Sequence, residues 1–354
     1  MRSEESACAG ESYILSSFNV QCSMIECVPN FSEGRDKSVI RSIAEAITSV
    51  GDGVKLLHID AGEAANRTVI TFCGTPEAVV EAAFLSVCRA GELIDMRRQH
   101  GTHPRIGATD VLPLVPLSGI TLEECAHLAR QLARRIADEA RIPCYCYEAA
   151  ALKPEHRNLA TCRAGEYEAL PQKLADPRRA PDYGVRPFDD DIARTGCTVV
   201  GARPVLLAVN FNLNTTSADV ATEIAKDVRE RGRGKGQPGT LKCVKAIGWY
   251  IDEYGIAQVS INITDLCVTP LHVAFEEVSR CAEARGVRVT GTEIIGLVPA
   301  QSLLDAGRYF LNKQQKSIDM DDSELMVTAI KAMGLDNLRP FNLDEKLIPI
   351  NIDS

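Results

Sequence analysis

The chain has 354 residues, a net charge of −9, and 45% hydrophobic and 25% charged residues, a composition typical of globular proteins. This length favours two domains over a single core. The acidic balance and the aromatic content of 5% disfavour nucleic-acid binding, which uses basic surfaces and aromatic stacking. Since no stretch of eighteen apolar residues is present, we expect no membrane partner.

The N-terminal segment and the cysteines indicate the cellular compartment of the protein. Residues 1–23 lack the positive start and apolar centre of a secretory signal, so we expect them to form a disordered N-terminal extension. The 13 cysteines are odd in number and lack the spacing of a disulfide scaffold. We interpret them as reduced thiols, which predicts a cytoplasmic protein.

Strands and helices alternate over the first half of the chain. The pattern predicts strands within residues 24–34, 53–62, 68–74, 111–117 and 142–150, and helices over 36–50, 75–94 and 121–140. Thr75 is the expected N-cap of the second helix, with Pro76 at its first position.

The periodicity disappears from about Arg163, and residues 178–196 are rich in proline, glycine and charge, which predicts a functional loop or a linker. After it we predict strands within residues 202–214 and 288–299, helices over 217–232, 270–286 and 300–311, and a hairpin over 242–265 that turns at 253–255. Together the elements predict an α+β fold, an α/β sandwich of two subdomains over residues 24–200 and 201–354. We expect mixed or antiparallel sheets with helices on one side and a ligand cleft between the subdomains.

The segment "MRRQHGTHPRIGATDV" places His103 in a loop bounded by glycine and proline. A neutral imidazole can accept and donate a proton near pH 7, so His103 is a candidate acid–base residue. Arg97 and Arg105 could bind carboxylates beside it, and Asp110 could orient its ring. The alternative is a surface histidine without a catalytic role.

His100 and His103 also have the spacing of a helical metal-binding pair. Gly101 and Pro104 disfavour a helix there, and no further ligand cluster follows. We therefore expect no metal.

The loop "GKGQPG", residues 234–239, formally matches a dinucleotide-binding motif. However, a helix is predicted before it and a strand after it, which is the reverse of the order that the motif requires. We interpret it as a basic loop whose Arg231, Arg233 and Lys235 either meet an anion or form a solvated turn.

Asp60 lies at the end of the strand in "HIDAGEAANRT", with Asn66 and Arg67 close behind. Strand ends in α/β folds often carry ligand-facing groups, so Asp60 either faces a ligand or caps a turn.

Seven segments in order along the chain resemble glutamate formiminotransferases: "ECVPNFSEG", "DAGEAANRTV", "GTHPRIGATDV", "RAGEYEALPQKL", "ERGRGKGQPG", "AIGWYIDEYGIAQVS" and "EIIGLVP". The resemblance runs from Met24 to the C-terminal end. It implies two α/β subdomains around a folate-binding cleft. We expect the chain to lack the cyclodeaminase domain that is fused to some family members.

The implied reaction transfers the formimino group of N-formimino-L-glutamate to N5 of tetrahydrofolate during histidine degradation. By the resemblance, His103 falls on the catalytic histidine of the family. The folate-binding segment of the family falls on residues 184–196, and the site residues that we take from it are Gly184, Val185, Arg186, Pro187, Phe188 and Gly196. This segment is longer and more acidic than the family pattern, with aspartates at 189–191.

The implied chemistry needs a group that accepts the N5 proton and then protonates the leaving nitrogen. His103 would perform both steps as general acid and base, with Asp60 or Asp110 stabilising the imidazolium. Tetrahydrofolate would be a co-substrate, and no metal would be required. The expected anion partners are Arg97, Arg105 and Lys235.

Two alternatives remain open. One is a related folate-dependent transferase that uses formylglutamate or formiminoglycine as donor. The other is a folate-binding protein without turnover. The resemblance also implies a homodimer.

Overall fold

The computed structural model describes residues 23–234 and 236–348. The predicted N-terminal extension lies outside these residues except for Ser23, and Lys235 lies outside them as well. The described chain forms two sheets, each covered by helices on its outer face.

The first sheet combines antiparallel and parallel pairs. It contains β1 (Met24–Cys27), β2 (Asn30–Phe31), β3 (Val54–Gly62), β4 (Arg67–Gly74), β5 (Thr109–Ser118), β6 (Cys144–Glu148) and β7 (Thr198–Ala202). Strands β1 and β2 share one position between β4 and β5, and both are antiparallel to each of these two strands. Beyond them, β5, β7 and β6 pair in parallel, whereas β3 lies antiparallel at the other edge beside β4.

Helices α1 (Lys37–Thr48), α2 (Pro76–Leu93) and α3 (Leu122–Glu139) cover the outer face of this sheet. The Asp36 side chain accepts the first amides of α1, and a capping box of Thr121 and Glu124 starts α3. As predicted, α2 begins with Thr75 at the N-cap position and Pro76 behind it, although the Thr75 side chain makes no capping hydrogen bond.

The aperiodic segment folds into short helical turns that cover the inner face of β6 and β7. These are α4 (Leu159–Cys162), α5 (Leu170–Ala175) and α6 (Asp190–Thr195), with 3₁₀ turns at Pro154–Arg157 and Tyr167–Ala169. Tyr145, Val199 and Ile192 meet in the small apolar core beneath them. Helices of one or two turns are too short to produce a periodic pattern, which is why the sequence predicted a loop here.

The second sheet is antiparallel throughout, in the order β11, β8, β10, β9. Its strands are β8 (Leu207–Leu213), β9 (Val244–Ile251), β10 (Ile256–Ile263) and β11 (Val289–Ile295). Its helices are α7 (Ala218–Val228), α8 (Leu271–Glu283), α9 (Ala300–Lys313), α10 (Asp322–Met333) and α11 (Leu343–Lys346). The hairpin of β9 and β10 confirms the predicted turn, whereas α10 was not predicted.

The inner faces of the two sheets face each other, and side chains join them at two places. The Asp60 carboxylate accepts the amide of Gly296 at 3.0 Å, and Lys346 Nζ lies 3.4 Å from the same oxygen. Lys245 Nζ lies 3.1 Å from Glu148 Oε1. The mixed sheet, the antiparallel sheet and their outer helices confirm the predicted α+β class. No helix in the described ranges is long and apolar enough to cross a membrane.

Gly196 generates a stability prediction, because its backbone has φ +68° and an added Cβ would lie 2.4 Å from the carbonyl oxygen of Ile106. With ψ −151°, this backbone conformation is essentially confined to glycine and costs other residues about 1–3 kcal/mol, and the forced contact adds roughly 1–3 kcal/mol. We expect Gly196→Ala to lower the free energy of unfolding in urea by both amounts. Gly286→Ala is the matched control, since Gly286 has φ +72° and open space around it. Equal losses in the two variants would contradict the tight packing of Gly196.

Candidate active site

A cavity of about 930 Å³ separates the inner faces of the two sheets. Alternate residues of β1, β4 and β5 line one wall, and alternate residues of β8 to β11 line the other, while the residues between them point into the cores. Of the residues predicted for the site, Asp60 and His103 line the cavity. A volume of this size suits a ligand that is largely enclosed.

His103 lies where the two layers touch. Its Nδ1 is 2.7 Å from the carbonyl oxygen of Pro104. Since a carbonyl oxygen only accepts hydrogen bonds, Nδ1 carries the proton and Nε2 keeps a free lone pair. The imidazole ring packs against Trp249 of β9, with ring centroids 5.9 Å apart and the planes 59° apart. The first layer therefore presents a basic nitrogen beside an aromatic ring of the second.

The surroundings of His103 favour its neutral form. Burial disfavours the imidazolium, and the guanidinium groups of Arg67 and Arg163 repel it. Asp110 and the Pro104 carbonyl act in the opposite direction but are weaker, so the pKa lies well below 6.5. At pH 7 the side chain is a neutral base.

Asp110 organises the cations beside His103. Its buried carboxylate accepts hydrogen bonds from Arg67 Nη1 at 2.6 Å, from Arg163 Nε at 3.1 Å and from the amide of Ile106 at 3.0 Å. Arg163 Nη2 donates a further hydrogen bond to it. Burial opposes the charge of Asp110, but Arg163 and Arg67 outweigh it and hold the pKa of this carboxyl below its usual value.

A bulge in β5 aims Asp110 at these partners. Thr109 pairs with Phe31 and Val111 pairs with Asn30, so Asp110 is the extra residue between them. Two guanidinium groups around one carboxylate leave a net positive charge. Because Arg67 and Arg163 both line the cavity, this cluster presents a cationic surface next to His103, and guanidinium groups are suited to bind carboxylates.

Asp60 lies apart from the Asp110 cluster, at a contact between the two layers. Its hydrogen-bond partners are Gly296 and Lys346, and Lys346 also donates to the carbonyl oxygens of Ile294 and Gly296. Asp60 therefore bridges the layers. Asp110 is the carboxylate whose charge acts on His103, although it does so without a direct hydrogen bond.

The arginines adjacent to His103 in sequence have other partners. Arg97 is exposed and bonds to Asp95 through Nε at 2.8 Å and Nη2 at 2.6 Å. Arg105 pairs with Glu166 at 3.0 Å and Glu168 at 2.6 Å. Neither Arg97 nor Arg105 lines the cavity.

The segment expected to bind folate lies behind the cavity wall. None of Gly184, Val185, Arg186, Pro187, Phe188 and Gly196 lines the cavity. Arg186 bonds to Asp189 at 2.8 Å and to the Arg141 carbonyl oxygen at 2.6 Å. Gly196 pairs with Gly107, which holds the segment against the chain that follows His103.

Sequence reasoning missed several polar residues of the site. Arg163, Glu26 and Arg203 belong to the first layer. The second wall supplies Asn210, Trp249, Tyr254, Gln258 and Glu293. The signal was available in part, since "AIGWYIDEYGIAQVS" places Trp249 and Gln258 on facing strands of one hairpin. Within the described ranges, no group of three side chains is suited to hold a metal ion.

Two family models match the chain. The formiminotransferase domain, N-terminal subdomain, matches residues 24–203, and the formiminotransferase domain matches residues 208–353. The chain belongs to the formiminotransferase family.

Three named enzymes are similar in sequence to this protein over most of its chain. The formimidoyltransferase-cyclodeaminase of Gallus gallus is 46% identical over 325 residues, which is 92% of this chain. This chain spans 59% of the length of that relative. The glutamate formimidoyltransferase of Streptococcus pyogenes is 43% identical, with 81% of this chain and 93% of that protein covered. The glutamate formimidoyltransferase of Thermoplasma acidophilum is 39% identical, with 82% and 92% covered.

Asp110→Asn tests the buried cluster. The variant leaves the buried guanidinium of Arg67 and the partly buried one of Arg163 without their anion, and we expect it to lose about 3–5 kcal/mol of unfolding free energy in urea. Asp95→Asn is the control, because the Asp95–Arg97 pair is exposed and we expect a loss of about 1 kcal/mol or less. Similar losses in both variants would show that the cluster does not hold the fold.

Proposed function

We propose that the protein transfers the formimino group of N-formimino-L-glutamate to N5 of tetrahydrofolate, giving 5-formiminotetrahydrofolate and L-glutamate in histidine degradation. The observation that carries this proposal is a neutral His103, with Nε2 free, beside a cationic cluster in the cavity. The names of the relatives from S. pyogenes and T. acidophilum support it.

In the proposed mechanism, N5 of tetrahydrofolate attacks the amidine carbon of the donor. A bond from N5 to this carbon forms, and His103 Nε2 accepts the N5 proton. The imidazolium then donates that proton to the glutamate nitrogen, and the bond from carbon to this nitrogen breaks. Electrons and protons balance without an oxidant or a covalent enzyme intermediate.

The charges around His103 suit both steps. Its lowered pKa keeps the base free before the attack and makes the imidazolium a ready donor afterwards. Asp110 offsets part of the repulsion from the arginines while the imidazolium exists. Arg67 and Arg163 would bind a carboxylate of the donor, a role that Arg97 and Arg105 cannot take while they are ion-paired outside the cavity.

Further parts of the proposal concern folate and the domains. Tetrahydrofolate is the proposed co-substrate, and this chemistry needs no metal. Folate contacts from residues 184–188, Gly196 and Lys235 rest on the family resemblance.

The proposed subdomains are residues 24–200 and 201–354, and the separate apolar cores of the two layers support that division.

We also propose that the protein forms a homodimer and that it works in the cytoplasm. The homodimer rests on the family resemblance. The cysteines of the described ranges are free thiols, and burial raises the pKa of Cys73 and of Cys146 to about 12. Buried, protonated thiols suit a reducing compartment, which supports a cytoplasmic location.

His103→Ala tests the function. We expect the variant to fold and to lose ~10²–10⁴-fold in transfer rate, the usual contribution of a general acid–base group. The spectrophotometric transfer assay measures this loss, with formylglutamate and formiminoglycine as comparison donors. His100→Ala, an exposed histidine in the same loop, should keep wild-type activity. Normal turnover by His103→Ala would refute the role of His103 as the acid–base residue. Faster transfer by the wild type from another donor would refute formiminoglutamate as the substrate.

The pH profile tests the charge state of His103. The active form is the neutral one, and its pKa in the ligand-free protein lies below 6.5, so kcat/KM should stay constant as pH falls to 6.5. It should decline only at lower pH, when the folded protein takes up the proton. The unfolded chain binds this proton more readily, so the unfolding free energy should also decrease below pH 6.5. A midpoint in kcat/KM at or above 6.5 would contradict the lowered pKa.

A further inference from the structure

The second wall of the cavity carries a carboxylate held by neutral donors. Tyr254 OH donates to Glu293 Oε1 at 3.2 Å. Asn210 Nδ2 and Gln258 Nε2 donate to Glu293 Oε2 at 3.1 Å and 3.2 Å. These contacts fix the position of the Glu293 carboxylate on the inner face of β11.

The contacts leave capacity for one more donor. A carboxylate has about four lone-pair sites, and three are occupied, so one on Oε1 stays free. Tyr254 stays a protonated phenol, because burial and the charge of Glu293 raise its pKa, and it accepts a hydrogen bond from Arg339 Nη2 at 2.8 Å. No lysine or arginine of the described ranges forms an ion pair with Glu293. The charge of Arg339 acts on Glu293, but Arg339 contacts it only through Tyr254, so the free lone pair of the carboxylate suits a ligand that brings an N–H donor.

Glu293 lies across the cavity from the reacting centre. Trp249 contacts His103 and donates its Nε1–H to Gln258 at 3.1 Å, and Gln258 reaches Glu293. Two side chains therefore separate His103 from Glu293. Trp249 and Glu293 lie on the two edge strands of the sheet, and their side chains both reach Gln258 on the strand between.

Because Glu293 lies away from His103, only a part of a substrate that is remote from the reacting atoms can reach it. The amidine is the reacting group and must lie at His103, so its nitrogens stay on that side. A pterin ring whose N5 lies at His103 extends its pyrimidine half away from the reacting centre. The far edge of that half carries an exocyclic amino group, which is an N–H donor for a carboxylate.

We propose that Glu293 is the specificity-determining residue for tetrahydrofolate and accepts a hydrogen bond from the 2-amino group of the pterin. This inference rests on the proposed function. Asn210, Gln258 and Tyr254 are positioning residues, because they hold the carboxylate and do not themselves need to contact the ring.

Trp249 makes the binding measurable, since it is the single tryptophan of the chain and lies in the cavity. Its fluorescence would be followed while tetrahydrofolate, or an analogue lacking the 2-amino group, is added to the full chain. We expect Glu293→Gln to weaken tetrahydrofolate binding by roughly 10- to 100-fold, the range for a hydrogen bond to a charged group. Binding of the analogue should be equal in wild type and variant.

Glu276→Gln is the matched control. It removes the same charge from α8, outside the cavity, where Glu276 pairs with Lys313 at 2.5 Å, and it should leave both affinities unchanged. Thermal melting reports whether Glu293→Gln folds. If this variant does not fold, Glu293→Asp is used instead, because it keeps the charge on a shorter side chain. Glu293→Asp should weaken tetrahydrofolate binding without affecting binding of the analogue.

The outcomes separate the two proposals. A wild-type protein that neither binds nor converts tetrahydrofolate would overturn the proposed function. An active wild type whose Glu293 variants bind tetrahydrofolate normally, or lose equal affinity for the analogue, would overturn the role of Glu293 alone. A rise in KM for formiminoglutamate with unchanged folate affinity would show that Glu293 binds the amidine instead.

Discussion

The buried carboxylate of Asp110 accepts hydrogen bonds from β4 through Arg67, from the end of α4 through Arg163, and from the chain that follows His103 through Ile106 N. A bulge in β5 turns it toward all three. These contacts fix the backbone that carries His103 and hold Arg67 and Arg163 beside it. Burial, together with the repulsion from these arginines, lowers the pKa of the imidazole. Asp110 thus positions the candidate base and gathers a cationic surface next to it.

The two walls of the cavity have complementary chemistry. The first supplies the imidazole and the cations, which suit proton transfer and a donor with carboxylates. The second supplies amides, a phenol and the carboxylate of Glu293, which suit an N–H-rich ring. Contact of His103 with Trp249, and of Asp60 with Gly296, sets the walls against each other. The reaction that we propose needs both walls at once.

Hydrophobic periodicity was sufficient to predict the α+β class, the long outer helices other than α10, and the hairpin of β9 and β10, because each depends on residues close in sequence. Glycine and proline around His103 also predicted an ordered loop. Arg163 was missed because its partner Asp110 is 53 residues away. Arg97 and Arg105 were expected at the site because they flank His103, but in an irregular loop sequence proximity does not set the direction of a side chain. The polar residues opposite His103 depend on strand pairing that one sequence does not reveal.

The central claim is that His103 is neutral at rest, with its proton on Nδ1 and a free lone pair on Nε2. Nitrogen-15 NMR of the full-length protein with labelled histidine tests it most directly, because the shifts of the two ring nitrogens report charge and tautomer separately. Loss of the signals in His103→Ala assigns them. We predict a protonated, pyrrole-like Nδ1 and an unprotonated, pyridine-like Nε2 at neutral pH. An imidazolium, or a proton on Nε2 in place of Nδ1, would contradict the account.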